Sequence, residues 1–389
     1  MDVFEKGAFG YDFHYLLEKD STLVLLSDGD GQAQIIVSPG YQAKVFTSSA
    51  RGMQGKSLGY VSYRALEAET PDEHMNGYGG ENRFWIGPEG GKYSVFFAPG
   101  AEQVYAHWHT PPAIDTEPWD VVFANRRNVS LKKEMEVTNY AGSRLKLRID
   151  RSVSLVETPE IRFGLGLDLP PGVETVAYLT ENVITNLNDF EWTRETGAPC
   201  IWILDMFHPG PRAVTLIPFR QGDERELGKI VTSDYFGEIP AHRLQIRHGV
   251  ICLKTDGKYR SKLGLNGRRT CATAGNYDPD AGRLTVITYE VNRKAVYLSQ
   301  EWDPDKEPLS GDAMNAYNDG PLEDGSLMGP FLELESVSPA AFLPPLKSLS
   351  HKHTVYHFLG NEKELSPLME KLFGLTVEEV NSVFESPGE

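Results

Sequence analysis

Two glutamates lie in a short strand-like segment near the C-terminal end of the chain. In the segment FLELES, Phe331, Glu333 and Glu335 alternate with two leucines. Side chains alternate between the two faces of a β-strand, so one face carries both carboxylates and the other carries both leucines. Because burying a charged carboxylate without a partner is costly, the glutamates face either solvent or a polar cavity. A carboxylate in a polar cavity can exchange protons with a bound ligand.

A long acidic segment precedes this strand. The segment WDPDKEPLSGDAMNAYNDGPLEDG is predicted to be a loop and contains Asp312, Tyr317 and Asn318. Carboxylates, amides and tyrosines hydrogen-bond hydroxyl groups, and long loops on rigid β scaffolds often carry function. We therefore expect these residues to contact a ligand that is rich in hydroxyl groups. A plain surface loop is one alternative, and a calcium loop without EF-hand spacing is another.

Two histidines, His107 and His109, are separated by one residue. This spacing predicts that they share one face of a strand, where they can contact a sugar, pack at a rim or bind a metal ion. A third metal ligand could come from His208, Asp115 or Asp120. The three cysteines are far apart and form no CxxC pair, which argues against a cysteine zinc site or a disulfide framework. We expect no bound metal and no cofactor.

The overall charge limits the kinds of partner. The 389 residues carry a formal net charge of −17. Nucleic acids and anionic membranes attract basic proteins, so neither is an expected partner. No apolar run approaches the roughly 20 residues of a membrane span, and the N-terminal segment lacks the basic and apolar regions of a signal peptide. We expect a cytoplasmic location, or a periplasmic one if a signal peptide has been removed. The oligomeric state is not predicted.

Strand-like segments separated by turns make up most of the chain. Examples such as STLVLLSD, SRLKLRIDRSVSLVET and RLTVITYEV are rich in β-branched residues or alternate between apolar and polar residues. The 37 glycines and 25 prolines suit many turns. These features predict an all-β fold, with one large antiparallel β-sandwich over residues 1–360; two fused sandwich halves are an alternative.

Helical signals are expected only near the C-terminus. Asn361 with Glu364, and Thr376 with Glu379, have the spacing of capping boxes. These pairs predict two short helices in a tail over residues 361–389 that packs on the sandwich.

Several segments follow one another in an order that is found in a known family. The segments LELES, VSPAAFLPPLKS and HKHTVYHF correspond to a strand with a catalytic glutamate, a loop with prolines and a final strand. ENRFWIGPEGGKYSVFF corresponds to a segment with an Asn-Arg pair, and AHWHTPPAIDTEPWDVV supplies histidines and Trp119. In this order the chain resembles the aldose 1-epimerase (galactose mutarotase) family. The resemblance places the catalytic glutamate at Glu335 and the Asn-Arg pair at Asn82 and Arg83.

The chain departs from this family at the general acid. The family has a Thr-Asn-His tripeptide, whereas this chain has Thr185, Asn186 and Leu187. Leucine cannot donate a proton, and the nearest downstream histidine is His208.

The resemblance implies a sandwich that interconverts the anomers of a free sugar without a cofactor. A base takes the proton of the anomeric hydroxyl while an acid protonates the ring oxygen. In this interpretation Glu335 is the base, and His208, or else His107 or His109, is the acid. The expected partner is a small sugar or an oligosaccharide.

Other residues of the segments are expected to bind the sugar. Arg83 can orient a hydroxyl group or stabilise negative charge on the ring oxygen, and Trp85 can stack under the sugar. Glu333 is expected beside the catalytic glutamate, whose pKa it can raise. Alternatively, Arg83 forms a surface ion pair with Glu81 or Glu89, which would stabilise the protein little.

Two further hypotheses stay open. One is a sugar-binding protein that keeps the scaffold and lacks catalysis. The other is a glycoside hydrolase or lyase, which needs carboxylates on opposite sides of a cleft. Because Glu333 and Glu335 lie side by side on one strand, the second acid would come from elsewhere, for instance Asp312 or Glu301.

Overall fold

A computed structural model describes residues 4–322 and 325–385 of the chain. Within these ranges the chain forms eighteen strands: β1 Val24–Ser27, β2 Gln34–Ser38, β3 Lys44–Ser49, β4 Arg83–Gly87, β5 Asp120–Ala124, β6 Asn128–Thr138, β7 Arg144–Leu155, β8 Glu174–Asn186, β9 Cys200–Phe207, β10 Val214–Pro218, β11 Leu244–Arg247, β12 Val250–Lys254, β13 Ser261–Leu265, β14 Thr273–Asp278, β15 Arg283–Tyr289, β16 Met314–Asn318, β17 Leu332–Val337 and β18 Ser348–Leu359.

The helices between and after the strands are short. They are α1 Phe9–Lys19, α2 Tyr63–Leu66, α3 Thr158–Leu165, α4 Glu224–Leu227, α5 Glu362–Phe373 and α6 Val377–Asn381, with 3₁₀ turns at Gly52–Gln54, Tyr105–His107 and Pro112–Ile114. No helix in the described ranges has the length and apolar character needed to cross a membrane.

The strands form three antiparallel sheets. The largest has the order β11-β12-β10-β14-β15-β18-β8-β7-β6-β5, a second has the order β13-β16-β17-β9-β4, and a small one has the order β1-β2-β3. One apolar core joins the ten-stranded and five-stranded sheets, with Ile287 and Val355 from the first and Ile203 and Leu334 from the second. This arrangement confirms the predicted large antiparallel β-sandwich.

Both predicted C-terminal helices are present. Asn361 and Glu364 form a capping box at the start of α5, and Thr376 and Glu379 form another at the start of α6. Their apolar side chains cover the outer face of the ten-stranded sheet, where Leu365 joins a second core cluster. The last residues of the predicted tail, 386–389, lie outside the described ranges.

The expectation that helices occur only after residue 361 is wrong. Helix α1 buries Phe9 and Leu16, which pack with Ile36 and Phe46 of the small sheet. The residue before the helix, Ala8, makes no side-chain capping bond. The usual polar signal for a helix start is therefore missing from the sequence, because tertiary packing stabilises this helix instead.

The strand with the two glutamates has the predicted alternation. Leu332 and Leu334 of β17 are fully buried in the core between the sheets. Glu333 therefore lies on the outer face of the five-stranded sheet, beside Tyr317 of β16 and Met206 of β9. Because cross-strand partners share a face, the same outer face carries Arg83, Trp85, Trp202, Leu204, Lys262, Asn315 and Glu335.

A buried polar network joins the inner faces of the two large sheets. His353 of β18 contacts Asp205 of β9 through a 2.6 Å Nε2–Oδ2 hydrogen bond, and its Nδ1 lies 2.7 Å from the Ser336 hydroxyl. Asp205 also accepts a hydrogen bond from Asn82, which in turn accepts one from Arg151. These residue types match a hydrolase triad, but the side chains are completely buried, so a substrate has no access. The network instead fixes the two sheets relative to each other.

We predict that His353→Ala destabilises the fold strongly. Removing the imidazole leaves the Asp205 carboxylate buried with one partner fewer, which typically costs about 3 kcal/mol or more. Urea unfolding followed by circular dichroism measures the change. The exposed His107→Ala variant is the control and should change the free energy of unfolding by less than about 0.5 kcal/mol. A loss below about 1 kcal/mol for His353→Ala would contradict the proposed role of the network.

Candidate functional site

A cleft of about 630 Å³ lies over the outer face of the five-stranded sheet. This size suits a small ligand such as one or two sugar rings. Aromatic side chains form much of its wall: Trp85, Tyr105, Trp108, Trp202, Phe236, Trp302, Tyr317 and Phe331. Four cationic side chains and three carboxylates also line it: Arg64, Arg83, Arg260, Lys262, Asp72, Glu89 and Glu333.

Four tryptophans give the cleft flat apolar surfaces in two orientations. Trp85 and Trp202 project from adjacent strands, with ring centroids 5.5 Å apart and planes at 83°. Trp108 and Trp302 come from loops and lie nearly parallel, with centroids 6.1 Å apart. Trp302 is only partly buried. Aromatic faces of this kind pack well against an apolar ligand surface while the ligand's polar edge stays hydrogen-bonded.

Arg83 and Glu333 are in contact on the floor of the cleft. An Nη2 of Arg83 contacts Oε1 of Glu333, and the guanidinium lies 5.3 Å from the Trp85 ring centroid. The expected surface pair of Arg83 with Glu81 or Glu89 is therefore wrong. Burial raises the pKa of Glu333 to about 8, against the opposing effect of Arg83. Glu333 can therefore hold a proton near neutral pH.

Glu335 is sealed beneath the cleft. Its Oε2 accepts hydrogen bonds from Lys262 at 3.1 Å and from the Trp202 indole at 2.8 Å. Its side chain is 1% exposed, compared with 8% for that of Lys262. The ammonium group of Lys262 lines the cleft and Glu335 lies behind it, outside the cleft wall. The expectation that Glu335 itself faces the sugar as the base is therefore not met by this geometry.

A second carboxyl of the cleft, Glu89, lies in the turn after β4. Its backbone N–H donates to the Gln300 side chain at 2.5 Å. Burial raises the pKa of Glu89 to about 7, while Lys262 lowers it and Glu335 raises it further. Lys262 has a raised pKa although burial lowers it, because Glu335, Glu89 and Glu333 surround its ammonium group. The cleft thus contains two carboxyls that titrate near neutrality beside a cation that stays charged.

The predicted histidine acid is not part of the cleft. His208 follows β9, and its exposed side chain lies beside the Tyr60 ring with a centroid distance of 5.3 Å. It lines a different cavity, together with Lys6, Arg51 and Asp278. The structure therefore does not bring Glu335 and His208 together, because Glu335 is covered by Lys262 and His208 lines another cavity.

His107 and His109 do not share a strand face. His107 ends a 3₁₀ turn, with Nδ1 2.9 Å from the Glu102 carbonyl oxygen. His109 lies 2.9 Å from the Glu73 carbonyl oxygen and stacks on His74 with a centroid distance of 5.0 Å. Both side chains are exposed and neither lines the cleft. The prolines that follow them break the regular backbone that the strand prediction required.

Three other expected sugar contacts are part of the buried framework. Asn82 belongs to the polar network between the sheets. Asp312 accepts a 2.8 Å hydrogen bond from the Tyr235 hydroxyl, and Asn318 accepts one from the Gly257 backbone and donates one to the Tyr259 carbonyl. None of the three lines the cleft.

The predicted acidic loop is partly a strand. Tyr317 and Asn318 lie in β16, so their side chains point to opposite faces, and only Tyr317 lines the cleft. Asp312, just before this strand, and Glu301 lie outside the cleft wall, so neither is the second acid that hydrolysis would need. Trp119, which the family resemblance also indicated, is buried and donates a hydrogen bond to the Ala113 carbonyl.

The structure thus brings together four of the expected side chains, Arg83, Trp85, Glu333 and Tyr317. Sequence reasoning missed Glu89, Lys262 and Arg260 as members of the cleft. Lys262 had a detectable signal, because it alternates with apolar residues in SKLGL. Glu89 lies in the turn after β4, and Arg260 directly precedes β13. Only tertiary packing sets the direction of these two side chains.

Potential metal ligands are dispersed. Within residues 4–322 and 325–385, no group of three or more histidine, cysteine, aspartate and glutamate side chains is arranged to hold a metal ion.

A family model covers nearly the whole chain. It describes a family of unknown function, DUF6786, and matches residues 7–384, so the chain belongs to this family. No curated protein matches the chain.

Solved structures share the fold at low sequence identity. The Slr1438 protein from Synechocystis sp. PCC 6803 is similar with a TM-score of 0.51 and 14% identity, covering 87% of this chain and 96% of that protein. A galactose mutarotase related enzyme from Lactobacillus acidophilus has a TM-score of 0.49 and 5% identity, with 86% and 97% covered. A galactose mutarotase-like protein from Lactobacillus casei has a TM-score of 0.47 and 11% identity, with 87% and 99% covered. At 14% identity, the similarity to the Slr1438 protein shows a shared fold alone.

We predict that Glu89→Gln makes the protein more resistant to alkaline conditions. Since the pKa of Glu89 is raised from 4.5 to about 7, the folded state holds the proton more tightly than the unfolded chain does. The resulting stability is present below about pH 4.5 and is lost as the pH rises through about 7. Glutamine has no proton to lose, so the variant avoids this loss.

Urea unfolding at pH 5 and pH 8.5 measures the effect. The free energy of unfolding of Glu89→Gln is compared with that of the original chain at each pH. This difference should favour the variant by on the order of 2 kcal/mol more at pH 8.5 than at pH 5. The exposed Glu226→Gln variant is the matched control and should show no such gain. Equal pH dependence of the Glu89→Gln variant and the original chain would contradict the raised pKa.

Proposed function

We propose that this protein binds a sugar in the cleft over the five-stranded sheet and interconverts its anomers. The observation that carries the proposal is the presence of two carboxyls with pKa values near neutrality, Glu89 and Glu333, on the wall of one cleft lined by tryptophans. This function keeps the chemistry that the family resemblance implies but assigns it to different residues.

The shape and lining of the cleft support a sugar as the ligand. A sugar ring has an apolar face and a polar edge. Trp302 and Trp108 offer parallel aromatic surfaces for the face, and Arg83, Lys262 and Glu333 offer hydrogen-bond partners for the edge. Pockets that combine aromatic walls with a few polar groups are typical of small-ligand sites.

Mutarotation needs two proton transfers, and two cleft carboxyls can perform them. Near pH 7 Glu333 is mostly protonated and Glu89 is about half ionised, as their pKa values of about 8 and about 7 require. Glu89 takes the proton of the anomeric hydroxyl while Glu333 gives one to the ring oxygen, and the bond between the anomeric carbon and the ring oxygen breaks. The aldehyde rotates, and the reverse transfers close the ring on its other face.

Two cations assist this exchange. The guanidinium of Arg83 contacts Glu333 and stabilises the carboxylate that forms when Glu333 gives up its proton. The ammonium of Lys262 lies on the cleft wall, where it can stabilise negative charge on a sugar oxygen. Glu335 holds Lys262 in place and is a positioning residue in this proposal.

A second candidate is sugar binding without catalysis. One observation favours it: Glu335, the position that the family resemblance assigns to the catalytic base, is covered by Lys262 and Trp202. A sealed base and a leucine at the position of the family's acid are what a binding protein on this scaffold would show. Measurement of anomer exchange separates the two candidates.

We predict that Trp302→Ala weakens sugar binding. Trp302 is partly exposed on the cleft wall, so its removal deletes a contact surface without opening the core. The dissociation constant should rise about tenfold, because a lost aromatic contact is worth about 1.4 kcal/mol. Calorimetric titration with common aldoses measures it, and Phe163→Ala, at an 89% exposed residue, is the control. Equal affinity of Trp302→Ala and the original chain would place the ligand elsewhere.

We predict a bell-shaped pH dependence for anomer exchange, with its maximum between pH 7 and pH 8. The reaction needs one carboxyl protonated and the other ionised, and the two pKa values are about 7 and about 8. Polarimetry on freshly dissolved α-anomers measures the rate. Glu333→Gln should reduce kcat/KM at least about a hundredfold and flatten the alkaline limb.

The binding-only candidate gives a different result. In that case Glu333→Gln and the original chain both fail to accelerate exchange, although calorimetry detects the sugar. Exchange that persists undiminished in Glu333→Gln would overturn the assigned role of this residue.

A further inference from the structure

The cleft wall has four cationic side chains and three carboxyls, in a chain whose formal net charge is −17. Three of the cations have partners: Arg83 pairs with Glu333, Lys262 pairs with Glu335, and Arg64 donates to the backbone carbonyls of residues 327 and 328. The fourth, Arg260, forms no ion pair with any of the described residues.

Arg260 is nevertheless held in a defined position. Its guanidinium lies 3.9 Å from the Phe236 ring centroid, and its Nε donates a 3.2 Å hydrogen bond to the Tyr317 hydroxyl. That hydroxyl in turn donates to Asp319 at 3.0 Å. The stacking and the single Nε bond fix the plane of the guanidinium. Within the described part of the chain, its two terminal nitrogens have no hydrogen-bond partner.

A second unpartnered donor lies in the same cleft. Arg83 is 5% exposed, and its buried Nε has no hydrogen-bond partner among the described residues. That nitrogen has almost no accessible surface, so it offers no hydrogen bond to a ligand in this arrangement. Arg260 is partly exposed on the cleft wall, so its terminal N–H groups are the ones that a ligand can reach.

We propose that the ligand is an anionic sugar whose carboxylate or phosphate group is bound by Arg260. This inference rests on the proposed sugar-binding function. A planar guanidinium fork that is held by stacking matches the oxygens of a carboxylate or a phosphate, and it forms two parallel charge-assisted hydrogen bonds with them. A neutral sugar offers no group that would neutralise this guanidinium.

The remaining charges of the cleft agree with an anionic ligand. Burial raises the pKa of both Glu89 and Glu333 toward or above neutrality. Each carboxyl therefore spends much of its time uncharged near pH 7 and repels an anion less than an ordinary glutamate would. Asp72, the third carboxyl of the cleft wall, opposes an anion there.

Calorimetric titration with three sugars tests the inference: D-glucose, D-glucuronate and D-glucose 6-phosphate. We expect at least one anionic sugar to bind at least about tenfold more tightly than glucose, and its affinity to fall as the salt concentration rises. The comparison of glucuronate with glucose 6-phosphate identifies whether the site prefers a carboxylate or a phosphate.

Variants of Arg260 test the assigned contact. Arg260→Gln should weaken binding of the preferred anionic sugar about tenfold to a hundredfold and should weaken glucose binding much less. Arg260→Lys keeps the charge but loses the planar guanidinium. Its affinity for the anionic sugar should therefore lie between those of the original chain and Arg260→Gln. Arg268→Gln removes an exposed arginine outside the cleft and is the control.

Each contrary outcome has a distinct meaning. Glucose binding as tightly as both anionic sugars, without salt dependence, would overturn the inference and leave sugar binding intact. An equal loss for all three sugars in Arg260→Gln would also overturn it, since it would mean a structural role. Failure of every sugar to bind the original chain would remove the proposed function itself. If Arg260→Gln does not fold, the affinity of Arg260→Lys for the anionic sugar and the salt dependence of binding to the original chain test the inference instead.

Discussion

The pairing of two buried glutamates with two buried cations is the constraint on which the cleft depends. The leucines of β17 must enter the core between the sheets, so strand alternation forces Glu333 and Glu335 onto the opposite face. On that face Arg83 from β4 contacts the Glu333 carboxyl, and Lys262 from β13 contacts the Glu335 carboxylate. Each cation offsets part of the cost of burying its glutamate. The two cations come from opposite edges of the five-stranded sheet.

The two pairs have different environments, although their glutamates are separated by one residue. Glu335 is closed off by Lys262 and the Trp202 indole, and it serves to hold the ammonium group. Glu333 lines the cleft and has a pKa of about 8. One strand thus provides a structural carboxylate, Glu335, and a carboxyl that can contact a ligand, Glu333.

The buried network behind the sheet makes this arrangement rigid. Asp205 and Ser336 belong to the same strands that form the cleft floor, and both contact His353 of the ten-stranded sheet. Since a side chain and its sequence neighbour point to opposite faces, a contact on the inner face fixes the direction of the residues on the outer face.

The sequence alone determined the fold class, the C-terminal helices and the face on which the two glutamates lie. These features follow from local rules, namely the two-residue period of strands and the spacing of capping boxes, which act within a few residues. It also indicated Arg83, Trp85, Glu333 and Tyr317 as members of the site. Only the tertiary structure decided that Lys262 covers Glu335, that Glu89 and Arg260 face the cleft, and that His208 belongs to another cavity. These contacts join residues far apart in the chain, and which of two carboxylates is sealed or open depends on strand order and packing, which no local pattern contains.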